Sequence, residues 1–305
     1  MSNRKFDSTP IKLENELLRL DIQTPGNPYR GSRFDWTGQI VQVTYMNKHS
    51  FCTTELINGQ LINEKGRGLY NEFGIDQAVG YDDCPVGGKF PKIGVGLLTK
   101  DSNKPYDFFH NYEIQRYSFP YSVEKDKVQF FCEAEENKHE YSFQLEKQIQ
   151  LNRNSFTINY TLRNKGSKTI RTNEYVHNFL SINNKNISSD YKLSFPFKVN
   201  PQKFNQLVDP NDILDINDES LTWKSVPTVP FFIAGLNGDY NGKGSWSLIN
   251  VKENVGIKET TSFNVRKMNL WGNTHVVSPE LFVNIIVPPE SEYSWFRTFT
   301  VFLLE

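Results

Sequence analysis

Of five histidines in the 305 residues, His177 has the surroundings that proton transfer would require. It lies in TNEYVHNFLSIN, an apolar stretch that also carries Asn173, Glu174 and Asn178. Polar groups buried in such a stretch each need a partner or a ligand. Imidazole is also the side chain whose proton equilibrium lies nearest neutrality. Flanked by Tyr175 and Phe179, His177 could equally be a satisfied core residue. Glu280, in HVVSPELFVNIIV, follows Pro279 at the expected start of a strongly apolar strand. A carboxylate at a sheet rim is partly desolvated, which raises its pKa and suits it to act as a base. A solvated glutamate at a strand start is the plainer reading.

Other groups carry weaker signals. Asp82 and Asp83 in GYDDC, with Glu72 and Asp76 upstream, form an acidic loop that could bind hydroxyls or Ca²⁺, but the spacing matches no EF-hand and a solvated loop is the plainer reading. Arg30, Arg33 and Arg67 could grip a carboxylate or phosphate, or simply face solvent. VGGKFPKIGVG is glycine-rich, but it is not GxxxxGK[ST] and no helix is expected after it. HExxH, GxSxG and metal-ligand clusters are missing, so zinc hydrolysis and serine catalysis have no support.

The elements that must hold these residues read as strands. In SFTINYTLRN, Phe156, Ile158, Tyr160 and Leu162 share one face, with Thr157, Asn159 and Thr161 on the other. SEYSWFRTFTVFLL places Tyr293, Trp295, Phe299, Val301 and Leu303 together with Arg297 among them. VQFFCEAEE, EYSFQLEKQIQL, LFVNIIV and SWSLINV show the same period of two, and Asn, Gly, Lys and Pro clusters separate the runs. A helical period shows only briefly, near Leu13 to Leu20, too short to predict a helix. More than ten strands joined by short turns imply an all-β sandwich or closed barrel. No linker divides the chain, so one domain over 1–305 is expected. The aperiodic, glycine-rich stretch 66–96 is predicted to be a long, ordered, site-forming loop.

Composition narrows the partners. The 34 basic and 35 acidic residues are interspersed, for a net charge of −1, which argues against nucleic acid. Aromatics make up 14% of the chain, suiting both β-packing and the apolar faces of sugars. Cys52, Cys84 and Cys132 are odd in number and lack CxxC spacing, so free thiols in a reducing compartment are expected. The polar start lacks the apolar run of a signal peptide, and no window approaches a membrane span. A cytoplasmic location follows as the expectation.

From about residue 17 to 305 the sequence resembles the galactose mutarotase-like aldose 1-epimerases. The resemblance rests on RGSRFDWTGQI, NEFGIDQAVGYDD, FPKIGVGLLTK, TNEYVHNFLSIN, MNLWGNTHVVSPE and ESEYSWFRTFTVF. It implies a large, twisted antiparallel β-sandwich with an open, polar concave face. It also implies that the protein opens and recloses the hemiacetal of a free sugar, without cofactor or metal. The family's acid falls on His177 and its base on Glu280. His110 in DFFHNYEI matches a second, substrate-binding histidine, Trp271 a ring-stacking residue, and Arg33, Lys92 and Asp82 fall in stretches that line the cleft. On this reading His177 and Glu280 face each other across a pocket with room for a pyranose ring. A sugar-phosphate epimerase would instead cluster Arg30, Arg33 or Arg67 beside the cleft. A non-catalytic sugar-binding protein would keep Trp271 but not depend on the pair. A glycoside hydrolase would pair Glu280 with Glu174 or Asp82.

Overall fold

The computed structural model describes residues 9–56, 62–134 and 140–304. His139 and the end of VQFFCEAEE lie outside the described residues. Strands dominate, and no α-helix occurs among the described residues. Two antiparallel sheets of ten strands each pack face to face, with a third, three-stranded sheet beside them.

The alternation seen in the sequence builds the second sheet. Phe156, Ile158, Tyr160 and Leu162 are all buried on the Ser155–Asn164 strand, as are Trp295, Arg297, Phe299 and Val301 on Glu292–Leu303. Tyr160 and Trp295 sit opposite each other across these strands with their rings stacked at 4.9 Å, a cross-strand aromatic pair of the kind that adds to sheet stability. Tyr293 is only half-buried and Leu303 is exposed, because the strand leaves the core at both ends. The segment near Leu13 to Leu20 is a hairpin of Ile11–Glu14 and Leu18–Ile22.

The first sheet runs in order Ile11–Glu14, Leu18–Ile22, Ile40–Tyr45, Gly68–Phe73, Ile170–Phe179, Val276–Val287, Lys267–Asn273, Phe231–Ala234 and Gln206–Val208, with the short strand His49–Ser50 paired to Ile40–Tyr45 off this path. Two sequence expectations change here. The stretch 66–96 is not one loop: it contains the central strand Gly68–Phe73 and the strand Lys89–Lys92. Every residue of Gly68–Phe73 is buried, and a strand covered on both faces shows no period of two. Pro279 and Glu280 do not begin a strand but lie inside Val276–Val287.

A hydrophobic core fills the space between the large sheets, yet it also holds charge. Arg297, fully buried, donates to Glu174 at 2.7 Å and Glu259 at 2.6 Å. Lys147, equally buried, bonds Asn71 and the Thr37 carbonyl at 2.7 Å and reaches Asp35 at 3.3 Å. Asn71 joins the two groups through Glu174.

Candidate functional site

The site forms where the first sheet splits. The Ile170–Phe179 and Val276–Val287 strands pair from Ile170/Val287 to Glu174/Val283, and their continuations meet again at Leu180/Val277. Six residues along one strand match six along the other, so the register carries through the gap and sets Glu280 opposite His177. Pro279 has no N–H to give to a ladder, and such an opening is where a central strand tolerates proline. Side chains replace the missing bonds: the Asn178 amide donates to the Pro279 carbonyl at 2.6 Å, and the Asn178 N–H donates to Ser278 Oγ at 2.9 Å.

Strand alternation then sorts the polar residues. Tyr175, His177 and Phe179 point to one face, Glu174 and Asn178 to the core between the sheets. Glu174 is wholly buried against Arg297, so it forms no carboxylate pair with Glu280. The hydrolase alternative that pairs Glu280 with Glu174 therefore has no support in this arrangement.

His177 Nε2 lies 3.5 Å from Glu280 Oε1. The two stand shoulder to shoulder, not across a ring-wide gap as expected, and each exposes only about a twentieth of its surface (6% and 5%). Ser278 fixes the pair. Its Oγ accepts from the Asn178 N–H, lies 2.9 Å from His177 Nδ1, and donates to Glu280 Oε1 at 3.2 Å. One hydroxyl has one proton to give and two lone pairs. With its proton on Glu280 and one lone pair taken by Asn178, it accepts from Nδ1–H. That tautomer leaves Nε2 bare and facing Glu280.

Burial sets the protonation. It pushes the Glu280 carboxyl up to about 8, against opposition from Arg33 and Ser278. It holds the His177 imidazole well below its ordinary value, and the Arg33 charge adds to that effect. Both shifts favour a neutral imidazole beside a carboxylic acid. These directions run opposite to the roles that the resemblance implies, His177 as acid and Glu280 as base.

Aromatic rings wall the pair. His177 stacks on Phe179 at 4.0 Å and meets the edges of Phe34 at 6.0 Å and Trp271 at 5.4 Å. Trp271 lies directly across from Ser278 on the neighbouring strand. Tyr175, one pleat along, stacks on Phe282 at 4.4 Å. The Arg33 guanidinium lies 4.5 Å from the Phe34 ring and 4.6 Å from that of Phe108. It is tied to Glu72 at 2.8 Å and donates to the Tyr175 hydroxyl at 2.9 Å, which in turn donates to Glu72 at 2.6 Å. Arg33 and Phe34 also line an open cavity of about 310 Å³ with Phe108, Phe109 and His110.

The remaining expected residues divide. His110 is at that cavity, exposed, with Nε2 2.6 Å from Asp101. Lys92 is buried and does not line the cavity, donating to the Phe73 carbonyl at 2.6 Å and Tyr106 at 2.9 Å, with Glu72 at 3.9 Å. Burial lowers its ammonium to about 8, partly offset by Glu72. It supports Glu72 from behind. Asp82 is exposed, bonds Gln77, and lines a separate recess with Tyr141 and Arg171, so it is not brought to the pair. Sequence reasoning missed Ser278 and the part Tyr175 plays. Both share the strand face of a candidate residue two positions away, and that spacing is the available signal. The sequence points to Glu72 as a ligand for a cation or hydroxyls, whereas the structure makes it the anchor of Arg33. Among the described residues no group of three or more His, Cys, Asp or Glu could hold a metal, and no helix is long and apolar enough to cross a membrane.

No protein-family model and no curated protein matches the sequence. Solved structures do match over nearly the whole chain. An aldose 1-epimerase candidate from Escherichia coli K12 is 13% identical, covering 97% of this chain and 99% of its own, with a TM-score of 0.60. A galactose mutarotase related enzyme from Lactobacillus acidophilus is 12% identical over 96% and 97%, with a TM-score of 0.59. A galactose mutarotase-like protein from Clostridium acetobutylicum is 12% identical over 97% and 95%, at 0.58. The two ten-stranded antiparallel layers and these matches together give the conclusion on architecture: the chain has the galactose mutarotase-like β-sandwich fold.

Proposed function

We propose that the protein is an aldose 1-epimerase, built as one domain, that interconverts the α and β anomers of a free, unphosphorylated sugar. The observation that carries this reading is the juxtaposition of His177 and Glu280, 3.5 Å apart in a gap of the sheet. The two oxygens that must gain and lose a proton in hemiacetal opening are borne by the same carbon. Two groups side by side suit that better than two groups a ring apart.

The protonation state assigns the steps. Glu280 gives its proton to the ring oxygen as the C1–O bond breaks, while His177 Nε2 takes the proton of the C1 hydroxyl. The products are an open-chain aldehyde, an imidazolium and a carboxylate. After rotation about C1–C2 the C5 hydroxyl attacks the other carbonyl face. It returns its proton to Glu280, and the imidazolium protonates the former carbonyl oxygen. Each group contributes roughly 10²–10⁴ in rate.

The arginines favour a neutral sugar over a sugar phosphate. Arg33 lines the first cavity but is taken up by Glu72 and Tyr175, Arg67 lies beside Tyr70 in a smaller recess that shares Tyr29 and Lys65 with that cavity, and Arg30 is exposed. The test is polarimetric. Freshly dissolved α-glucose and α-galactose should equilibrate faster with wild type and lose that acceleration with Glu280→Gln. Binding without acceleration, unchanged by the substitution, would instead mark a sugar-binding protein.

A further inference from the structure

The proposed proton transfer makes an imidazolium of His177, a side chain almost closed to water. Burying a cation is costly unless something nearby stabilises it. Four aromatic rings surround this imidazole, and they differ in how they meet it. Phe34 and Trp271 stand at steep angles to it, 83° and 75°, and Tyr175 is tilted by 43° with its centre 6.1 Å away. Phe179 lies flat against it, 8° from parallel, with ring centres 4.0 Å apart. The face of a benzene ring is negative and its edge positive, so a cation gains from the face. The flat ring therefore favours His177 once it has taken a proton and adds little while the imidazole is neutral.

The surrounding structure fixes that ring in place. Phe179 follows His177 by two residues on one strand, so both share a face. It is wholly buried, with the rings of Phe34, Trp271 and Tyr70 set steeply around it at 6.1, 6.3 and 6.5 Å. Gly66 makes room for it: a Cβ there would come 2.3 Å from Phe179 Cε2. The charged and titratable groups facing His177 divide in their effect. Glu280, 3.5 Å from Nε2, attracts the imidazolium once its own proton has gone to the sugar. Arg33, tied to Glu72 and to the Tyr175 hydroxyl, opposes a second positive charge. Ser278 meets Nδ1 as a neutral hydroxyl. We propose that Phe179 is a positioning residue for the reaction, its ring face stabilising the His177 imidazolium that forms as the hemiacetal opens. This rests on the mutarotase reading and adds to it a group that bears on the developing charge.

The test keeps the ring and changes only its charge distribution. Phenylalanine carrying one, two or three ring fluorines, placed at position 179 alone, weakens the negative face stepwise and preserves the packing that Phe179→Leu would disturb. Polarimetry with glucose and galactose should show kcat falling with each fluorine, about tenfold over the series, while KM stays level, because the cation exists only beyond the ground state. Imidazole ¹⁵N shifts, followed into acid with no sugar present, give a second reading on the same proteins. The pH at which His177 takes a proton should fall in step, by about one pH unit in all. Turnover that ignores the fluorine count overturns the assignment and leaves the mutarotase reading untouched. If His177 protonation follows the count but no sugar is accelerated even by wild type, the mutarotase reading falls and the stabilising contact of Phe179 with the imidazolium stands.

Discussion

Two ionisable side chains 3.5 Å apart in a nearly dry site cannot both keep their ordinary protonation. Burial raises Glu280 to about 8 and lowers His177, so the proton stays on the carboxyl. The pair's effect on stability follows from the two directions. A raised folded pKa means the unfolded chain holds fewer protons, so Glu280 removes stability as pH climbs from its ordinary 4.5 through about 8. A lowered folded pKa does the opposite, so His177 adds stability as pH rises toward its ordinary 6.5 and nothing above it. Only the Glu280 slope remains above 6.5. Wild type should therefore lose on the order of 2 kcal/mol relative to Glu280→Gln between pH 6.5 and 8, measured by urea unfolding at several pH values. A parallel pH dependence of the two proteins would refute the raised carboxyl. Turnover should follow the same proton, level through neutrality and falling above about pH 8 as Glu280 ionises. Ser278 acts through the pair as a positioning residue. Ser278→Ala leaves three neighbouring groups short of a partner and should cost about 1–3 kcal/mol. It should also change the pH–rate profile of the pair, which a purely structural loss would not.

At the scale of strands, legibility in the sequence depends on how many faces of each strand are buried. Ser155–Asn164 has one buried face, and its alternation is plain in the order of residues alone. Gly68–Phe73 is covered on both sides, so it reads as loop although it supplies Asn71 and Glu72. The Pro279–Glu280 pair misleads in another way: a proline in an apolar strand reads as a beginning, and only the partner strand reveals that the ladder opens there. His177 and Glu280 are legible as types in apolar surroundings, but their direct opposition comes from a register that sequence alone does not state. The opening depends on Asn178, whose amide stands in for ladder bonds by reaching the Pro279 carbonyl. Asn178→Leu should destabilise the protein by about 1–3 kcal/mol, since the buried groups it serves lose their partner. On the proposed mechanism it should lower kcat more than it raises KM, because it holds the backbone that carries Glu280. A change in KM alone would place the gap outside the catalytic geometry.

Across the whole molecule, one polar network runs from the far side of the core to the site. Lys147 and Asp35 connect through Asn71 to Glu174, Glu174 to Arg297, Arg297 to Glu259, and Glu259 to Asn178 at 3.5 Å, beside the catalytic candidates. Arg297 can be placed in its buried row from sequence, but its partners come from two other strands in two different sheets, which no local pattern discloses. Taking these charges out of water is costly, and their mutual attraction offsets the cost only while every member is present. Arg297→Met removes the shared cation and leaves Glu174 and Glu259 facing each other in the core. It should cost about 3–5 kcal/mol, seen as a lower urea midpoint. Replacing all three together, Arg297→Met with Glu174→Gln and Glu259→Gln, removes the unpaired charge and should recover most of that loss. If the triple variant is as stable as wild type yet turns over slowly, the network's contribution is to hold Asn178 and the split sheet in register. If it is stable and fully active, the buried charges add nothing to the site, and the strands alone keep His177 opposite Glu280.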